Sequence, residues 1–315
     1  MTKPRLVLAA KALISLALVF WLGTRIDVAP VAQRFTQIDL AWLTLALAVF
    51  FAQLLATGWR YALIGRATGA TLPARVALRL MLIAQFFSQT LPSAMGGDVV
   101  RAVMAQRHGL SWGRAISAVL CDRGIALVVL LAIATLTLPL FHARVDAFWA
   151  RRAMEILAAG TAVGFAVLVL ADDARRARYG RSRALRPIAM LIGDLRRVAF
   201  AAPESRRIVP LSLFVHVAVI ATVWLLARAL GLATGFVDCL LIVPPVVLAT
   251  LAPVSIAGWG VREGAMVVGF GLVGMPEADA LALSVAIGLA QIAIGLPGGV
   301  VWLLGDRAKS VAPGG

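Results

Sequence analysis

The chain has 315 residues, of which 61% are hydrophobic and 14% charged, with 30 basic against 15 acidic side chains. A water-soluble domain carries roughly 45–50% apolar and about 25% charged residues, so this composition excludes a soluble globular protein. Its apolar runs approach the ~20 residues an α-helix needs to cross the hydrocarbon layer, and they lack the alternation of a membrane β-strand.

In chain order, Lys3, Arg5 and Lys11 lead into the apolar stretch Ala12–Leu22. A basic start and apolar middle also fit a signal peptide. No small-residue cleavage site follows Leu22, and with Lys11 snorkelling toward the headgroups the stretch from Leu6 is long enough to be a first retained span. Leu40–Thr57 is the second span. Trp59–Arg79, with Arg60, Arg66, Arg75 and Arg79, is assigned to the cytoplasmic side by the bias of Lys and Arg toward cytoplasmic loops.

Leu80–Leu91 is too short to span, and Pro92, Gly96 and Gly97 break it before Val99–Arg107 resumes a helix. The flanking arginines stay on one side only if this segment enters the membrane and returns. Such a re-entrant hairpin is tolerated where protein buries it or water reaches it. Gly124–Phe141 and Met154–Ala171 are the next spans. Between Asp172 and Arg207 ten arginines face four acidic residues. This basic cytoplasmic loop, 172–207, includes Arg175, Arg176, Arg178, Arg181, Arg183 and Arg186, each able to contribute about 1 kcal/mol near anionic headgroups. Within it Pro187–Ala201 reads as an amphipathic helix lying on the membrane.

Ile208–Ala227 spans again. Cys239–Ala252 is interrupted by Pro244 and Pro245, and the run from Pro253 to Glu263 leads into the short apolar helix Gly264–Gly274, a second hairpin entering from the opposite face. Leu281–Leu304 is the last span. The expected fold is all-α: a polytopic membrane helical bundle of six full spans plus two re-entrant helical hairpins, eight membrane segments in one transmembrane domain, 1–315. Both termini are placed on the cytoplasmic side of the inner (plasma) membrane.

The two breaks correspond in spacing. Gly97 and Arg101 lie five and nine residues after Pro92, as Gly258 and Arg262 do after Pro253. The flanking spans run in opposite senses, and broken segments in matching positions of inverted halves point to a midplane substrate site. The chemistry there is that of an anion site: a glycine turn at a helix start exposes backbone N–H groups, and arginine adds a planar fork of donors suited to phosphate. The candidate lipid-headgroup residues are Gly96, Gly97, Asp98, Arg101, Asp122 and Arg123 in the first half, and Gly258, Trp259, Gly260, Arg262 and Glu263 in the second. Asp98, one helical turn before Arg101, is a candidate counter-ion. The bland alternative is that these charges form buried pairs that only fix packing.

Cys121 and Cys239 lie far apart, and His108, His142 and His216 are scattered. No spacing for a metal, a P-loop, a nucleophile elbow or a dinucleotide fingerprint occurs, so no cofactor, metal or catalytic residue is assigned and an enzyme is not expected.

The stretch Phe86–Leu127, with LPSAMGGDVVR and GLSWGRAISAVLCDRGIAL, together with APVSIAGWGVREGA at Ala252–Ala265, resembles the membrane region of lysylphosphatidylglycerol synthases and of free-standing flippase-like proteins related to them. In the bifunctional members such a region is held to move an aminoacylated phospholipid between leaflets, while a soluble domain attaches the amino acid. Only about ten residues follow the last span here, so the resemblance implies translocation or an accessory role, not lysyl transfer. Free-standing relatives are associated with hopanoids and glycosylated lipids, so the implied partner is a membrane phospholipid or isoprenoid lipid, and not nucleic acid. The expected function is a flippase whose hairpins meet near the midplane, with Arg101 and Arg262 holding the headgroup in turn. The alternatives are a scaffold recruiting a lipid-modifying enzyme through the basic loop, and a membrane-embedded lipid transferase using Asp98 or Glu263 as base.

Overall fold

The structure, a computed structural model, describes residues 24, 28–90, 96–170, 186–251 and 259–310. Among the described residues it is all-helical: α1 (Val28–Thr36), α2 (Leu40–Thr68), α3 (Ala74–Thr90), α4 (Gly96–Arg107), α5 (Trp112–Leu136), α6 (Leu138–Arg144), α7 (Phe148–Leu170), α8 (Arg186–Arg196), α9 (Ser205–Ala229), α10 (Phe236–Thr250), α11 (Val261–Gly271) and α12 (Glu277–Ser310). Five of them, α2, α5, α7, α9 and α12, are long and apolar enough to cross a membrane. They contain the expected spans Leu40–Thr57, Ile208–Ala227 and Leu281–Leu304 and most of Gly124–Phe141 and Met154–Ala171. The expected first span, the hairpin tips with Pro92, Pro253 and Gly258, and Asp172–Leu185 of the basic loop lie outside the described residues.

The helix ends depart from the expected spans in one consequential way. α2 does not stop at Thr57 but continues to Thr68, so Arg60 and Arg66 belong to the helix and not to a loop. Arginine is a good helix former, and a helix need not end where its run of apolar residues does. Tyr61, Leu63, Ile64 and Ala67 are buried along this extension. At the other end, α5 begins twelve residues before Gly124, with Ser111 as its N-cap. It ends at Leu136, and Pro139 opens the separate short helix α6, where a missing N–H costs nothing.

The chain divides into two compact units. One comprises the described parts of Met1–Ala52, Met81–Val100 and Ala218–Gly315. Its α12 packs on α11 and α1, and α11 packs on α10. Lipid is as apolar as leucine, so helices in a bilayer associate through close packing. Glycines allow it here: a Cβ on Gly298 would fall on the Leu82 carbonyl of α3, one on Gly299 would meet the Phe86 ring, and one on Gly269 would lie 2.7 Å from Ile242. Arg34 grips Asp279 in a two-pronged pair at 2.8 and 2.9 Å, tying α1 to the first turn of α12.

The other unit comprises the described parts of Gln53–Leu80 and Arg101–Val217. Leu63, Ile64 and Ala67 of α2, Cys121 and Ile125 of α5, and Ile208 of α9 form one buried cluster with Val198 and Ala202. The expected amphipathic helix is present as α8, followed by a π turn over Arg197–Ala201. Its apolar side packs inward: Leu191 and Leu195 join that cluster, and a side chain on Gly124 would collide with Leu195. Ser117 Oγ of α5 donates to Asp194 Oδ2 at 2.6 Å, pinning α8 to the span. Ile188, Met190 and Phe200 remain exposed.

Candidate functional site

In the second unit, three charged side chains from three helices converge. Arg60 of α2 donates from Nε to Asp122 Oδ1 of α5 at 2.9 Å, and Arg101 of α4 donates from Nη1 to Asp122 Oδ2 at 2.8 Å. All three side chains are buried, at 3, 4 and 2% exposure. The Arg101 guanidinium also lies 4.5 Å from the centre of the Tyr61 ring, whose electron-rich face favours a cation. One carboxylate is thus shared between two guanidinium groups, with both of its oxygens in use.

The second nitrogen fork of Arg60 is not fully used: its Nη1 is buried and has no hydrogen-bond partner among the described residues. Arg60 lies eight residues before the end of α2 and Asp122 ten residues after the start of α5, which is about 12–15 Å along each helix. Buried ionisable groups in a membrane protein are costly and mark substrate paths or internal pairs.

In the first unit, Arg262 forms a second charged cluster, of a different kind. Its Nε and Nη2 donate to Glu263 Oε1 at 3.1 and 2.6 Å, Nε also reaches Ser284 Oγ at 3.2 Å, and Nη1 donates to Gln291 Oε1 at 3.0 Å. Ser284 Oγ donates to the same Glu263 oxygen at 3.1 Å. The other carboxylate oxygen, Oε2, accepts the Gly260 N–H at 2.6 Å, closing the start of α11 as a capping box. Gly260 adopts φ 86°, a left-handed conformation that favours glycine. Trp259 covers the guanidinium at 4.6 Å, and a Cβ on Gly288 would come within 2.6 Å of Arg262 Nη2. This cluster is one-to-one in charge and closed by its own hydrogen bonds.

The family model described as Lysylphosphatidylglycerol synthase TM region matches residues 8–299. The chain belongs to that family. No curated protein matches the sequence significantly.

As a lysylphosphatidylglycerol synthase TM region, the chain brings Arg101 and Asp122 together, and Trp259, Gly260, Arg262 and Glu263 together. Arg123, one residue on from buried Asp122, is exposed on α5. Asp98 is buried in the first turn of α4, where a carboxylate complements the helix dipole. The carboxylate on Arg101 that spacing did not anticipate is Asp122, which only the fold brings near. Gly96 and Gly97 are buried, and a Cβ on Gly97 would strike Ser88 and the Ala84 carbonyl of α3, so close packing alone requires glycine there.

The expected correspondence of the two breaks does not extend to helix register. Arg101 lies in the second turn of α4, whereas Arg262 lies in the first turn of α11. The helix start that spacing assigned to an anion at the second break is filled by Glu263. Sequence reasoning missed Arg60, Tyr61, Ser284 and Gln291. Ser284, Gly288 and Gln291 recur at helical spacing on one face of α12, and Arg60 interrupts a run that is apolar on both sides, which was the available signal.

Proposed function

We propose that this protein carries a phosphate-bearing lipid between the leaflets of the inner (plasma) membrane, with both termini on the cytoplasmic side. Membership of the lysylphosphatidylglycerol synthase TM region family supports a lipid-related role in the membrane. The observation that carries the reading further is the buried Arg60–Asp122–Arg101 cluster, in which one carboxylate is divided between two guanidinium groups. Arginine forks match phosphate oxygens two at a time and hold them without a soluble counter-ion.

Arg262 has a different part in this reading from the one its spacing suggested. With Glu263, Ser284 and Gln291 already bonded to it, it braces α11 against α12 and does not hold a headgroup. The same bonds tell against a transferase using Glu263 as base, since Oε1 accepts from Arg262 and Ser284 while Oε2 accepts from Gly260. A general base needs hydrogen-bond reach to the proton it removes. In this reading the protein acts as a carrier, with no bond made or broken.

The test is lipid movement by the purified protein in vesicles carrying a headgroup-labelled phospholipid in both leaflets, read by bleaching from outside. Carrier activity exposes inner-leaflet label faster than in protein-free vesicles. Equal rates for protein and protein-free vesicles, with neutral and anionic lipids alike, exclude it.

A further inference from the structure

We infer that Arg60 is the anion-contacting residue of the buried cluster, offering its Nη1 to one oxygen of a phosphate-type oxyanion, while Arg101 serves chiefly to hold Asp122. This rests on the proposed carrier function and names the residue that meets the cargo.

The two arginines differ in what surrounds them. Arg101 is the largest fully buried side chain among the described residues, stacked on Tyr61 and bonded to Asp122 Oδ2; its Nε, on the stem side of the fork, also has no hydrogen-bond partner among them, whereas in Arg60 the unmet donor is at the tip. Arg60 reaches Asp122 with Nε alone, to the other oxygen, at 2.9 Å. Its Nη1 is buried with no partner among the described residues. Leaving a buried charged donor unmet is costly, and folded proteins rarely do so without a role for it. His216 of α9 does not fill that need: its Nε2 is engaged with the Ala126 carbonyl at 2.8 Å. Asp122 accepts Arg60 Nε on Oδ1 and Arg101 Nη1 on Oδ2, and neither oxygen is within hydrogen-bond reach of Arg60 Nη1. No described residue supplies the acceptor; an acceptor from outside the chain would, and two guanidinium groups around one carboxylate favour an anionic one.

The oxyanion has two possible sources with the same chemistry, a lipid phosphate and free inorganic phosphate. A lipid source follows from the proposed function.

Arg60→Met separates a binding role from a structural one by the sign of its effect. It leaves Asp122 with Arg101, a one-to-one pair. The thermal midpoint of the purified protein in neutral detergent should then stay at or above that of the wild type. A short-chain phosphatidylglycerol, titrated into the wild type, should raise the midpoint, and Arg60→Met should weaken that ligand's apparent affinity by about ten- to a hundredfold, the loss of one charge-assisted bond. Arg60→Lys, which retains charge but not the fork, should fall between.

A phosphatidylglycerol shift with no response to inorganic phosphate identifies the lipid as source; a phosphate shift lost in Arg60→Met identifies the free anion. Equal phosphatidylglycerol affinity in wild type, Arg60→Met and Arg60→Lys overturns the proposal. So does a fall in midpoint without ligand in both variants while the Arg60→Lys affinity is unchanged, which is the behaviour of a packing pair. Wild type that moves labelled lipid in vesicles while Arg60→Met still binds normally refutes this site alone. Wild type that binds through Arg60 but moves no lipid refutes the carrier function alone.

Discussion

Replacing Arg262 with alanine removes a guanidinium that makes four hydrogen bonds, two to Glu263 and one each to Ser284 and Gln291. Glu263 is then left buried, its charge opposed by no cation in the cluster. Removing one partner of a buried ion pair costs about 3–5 kcal/mol, far more than an exposed pair is worth. At about 2 °C per kcal/mol for a chain of this size, the thermal midpoint in detergent should fall by about 6–10 °C. Arg262→Met with Glu263→Gln removes both charges and retains an acceptor for the Gly260 N–H, because glutamine also closes a capping box. That double variant should recover most of the loss, with a coupling of about 2 kcal/mol or more in the double-mutant cycle. A midpoint unchanged in Arg262→Ala, or additive losses in the cycle, would refute the reading of Arg262 as an internal brace.

Two further outcomes follow from the fold. Ser117→Ala breaks the 2.6 Å bond to Asp194 that holds α8 on α5, so amide exchange should accelerate over Arg186–Arg196 while α5 itself is unaffected; equal protection of α8 in both proteins would dismiss the tether. Cysteines placed at exposed Thr71 and His108 should label from the same, cytoplasmic face if the segment between them re-enters the membrane, and labelling from opposite faces would show that it crosses.

How much the sequence revealed depended on the length scale of each feature. α2, α5, α7, α9 and α12 announced themselves because crossing a bilayer demands a long apolar run, and that demand is one-dimensional. Their ends were less visible. α2 continues past Thr57 because Leu63, Ile64 and Ala67 pack against α5 and α9, a three-dimensional fact that turns Arg60 from an apparent loop cation into a buried one. Arg101 and Asp122 stood out as charges in apolar surroundings, but their bond joins residues 21 apart on different helices, and no periodicity encodes it. By sequence Glu263 is a candidate headgroup residue beside Arg262 at the helix start. Residues i and i+1 do not ordinarily face one another on a helix, yet the first turn of α11 lets the guanidinium fold back onto the carboxylate. That local closure turned an expected anion site into a brace.

The central claim is that buried arginine carries a lipid phosphate across the membrane, and the most direct measurement is the rate of lipid movement in vesicles holding equal amounts of folded wild type and Arg60→Met. Labelled phosphatidylglycerol should move in the wild type, with a rate about tenfold or more slower in the variant at limiting lipid. A labelled lipid lacking phosphate should show no dependence on Arg60. Wild-type and variant rates that agree for phosphatidylglycerol, or a wild-type rate no greater than that of protein-free vesicles, would contradict it.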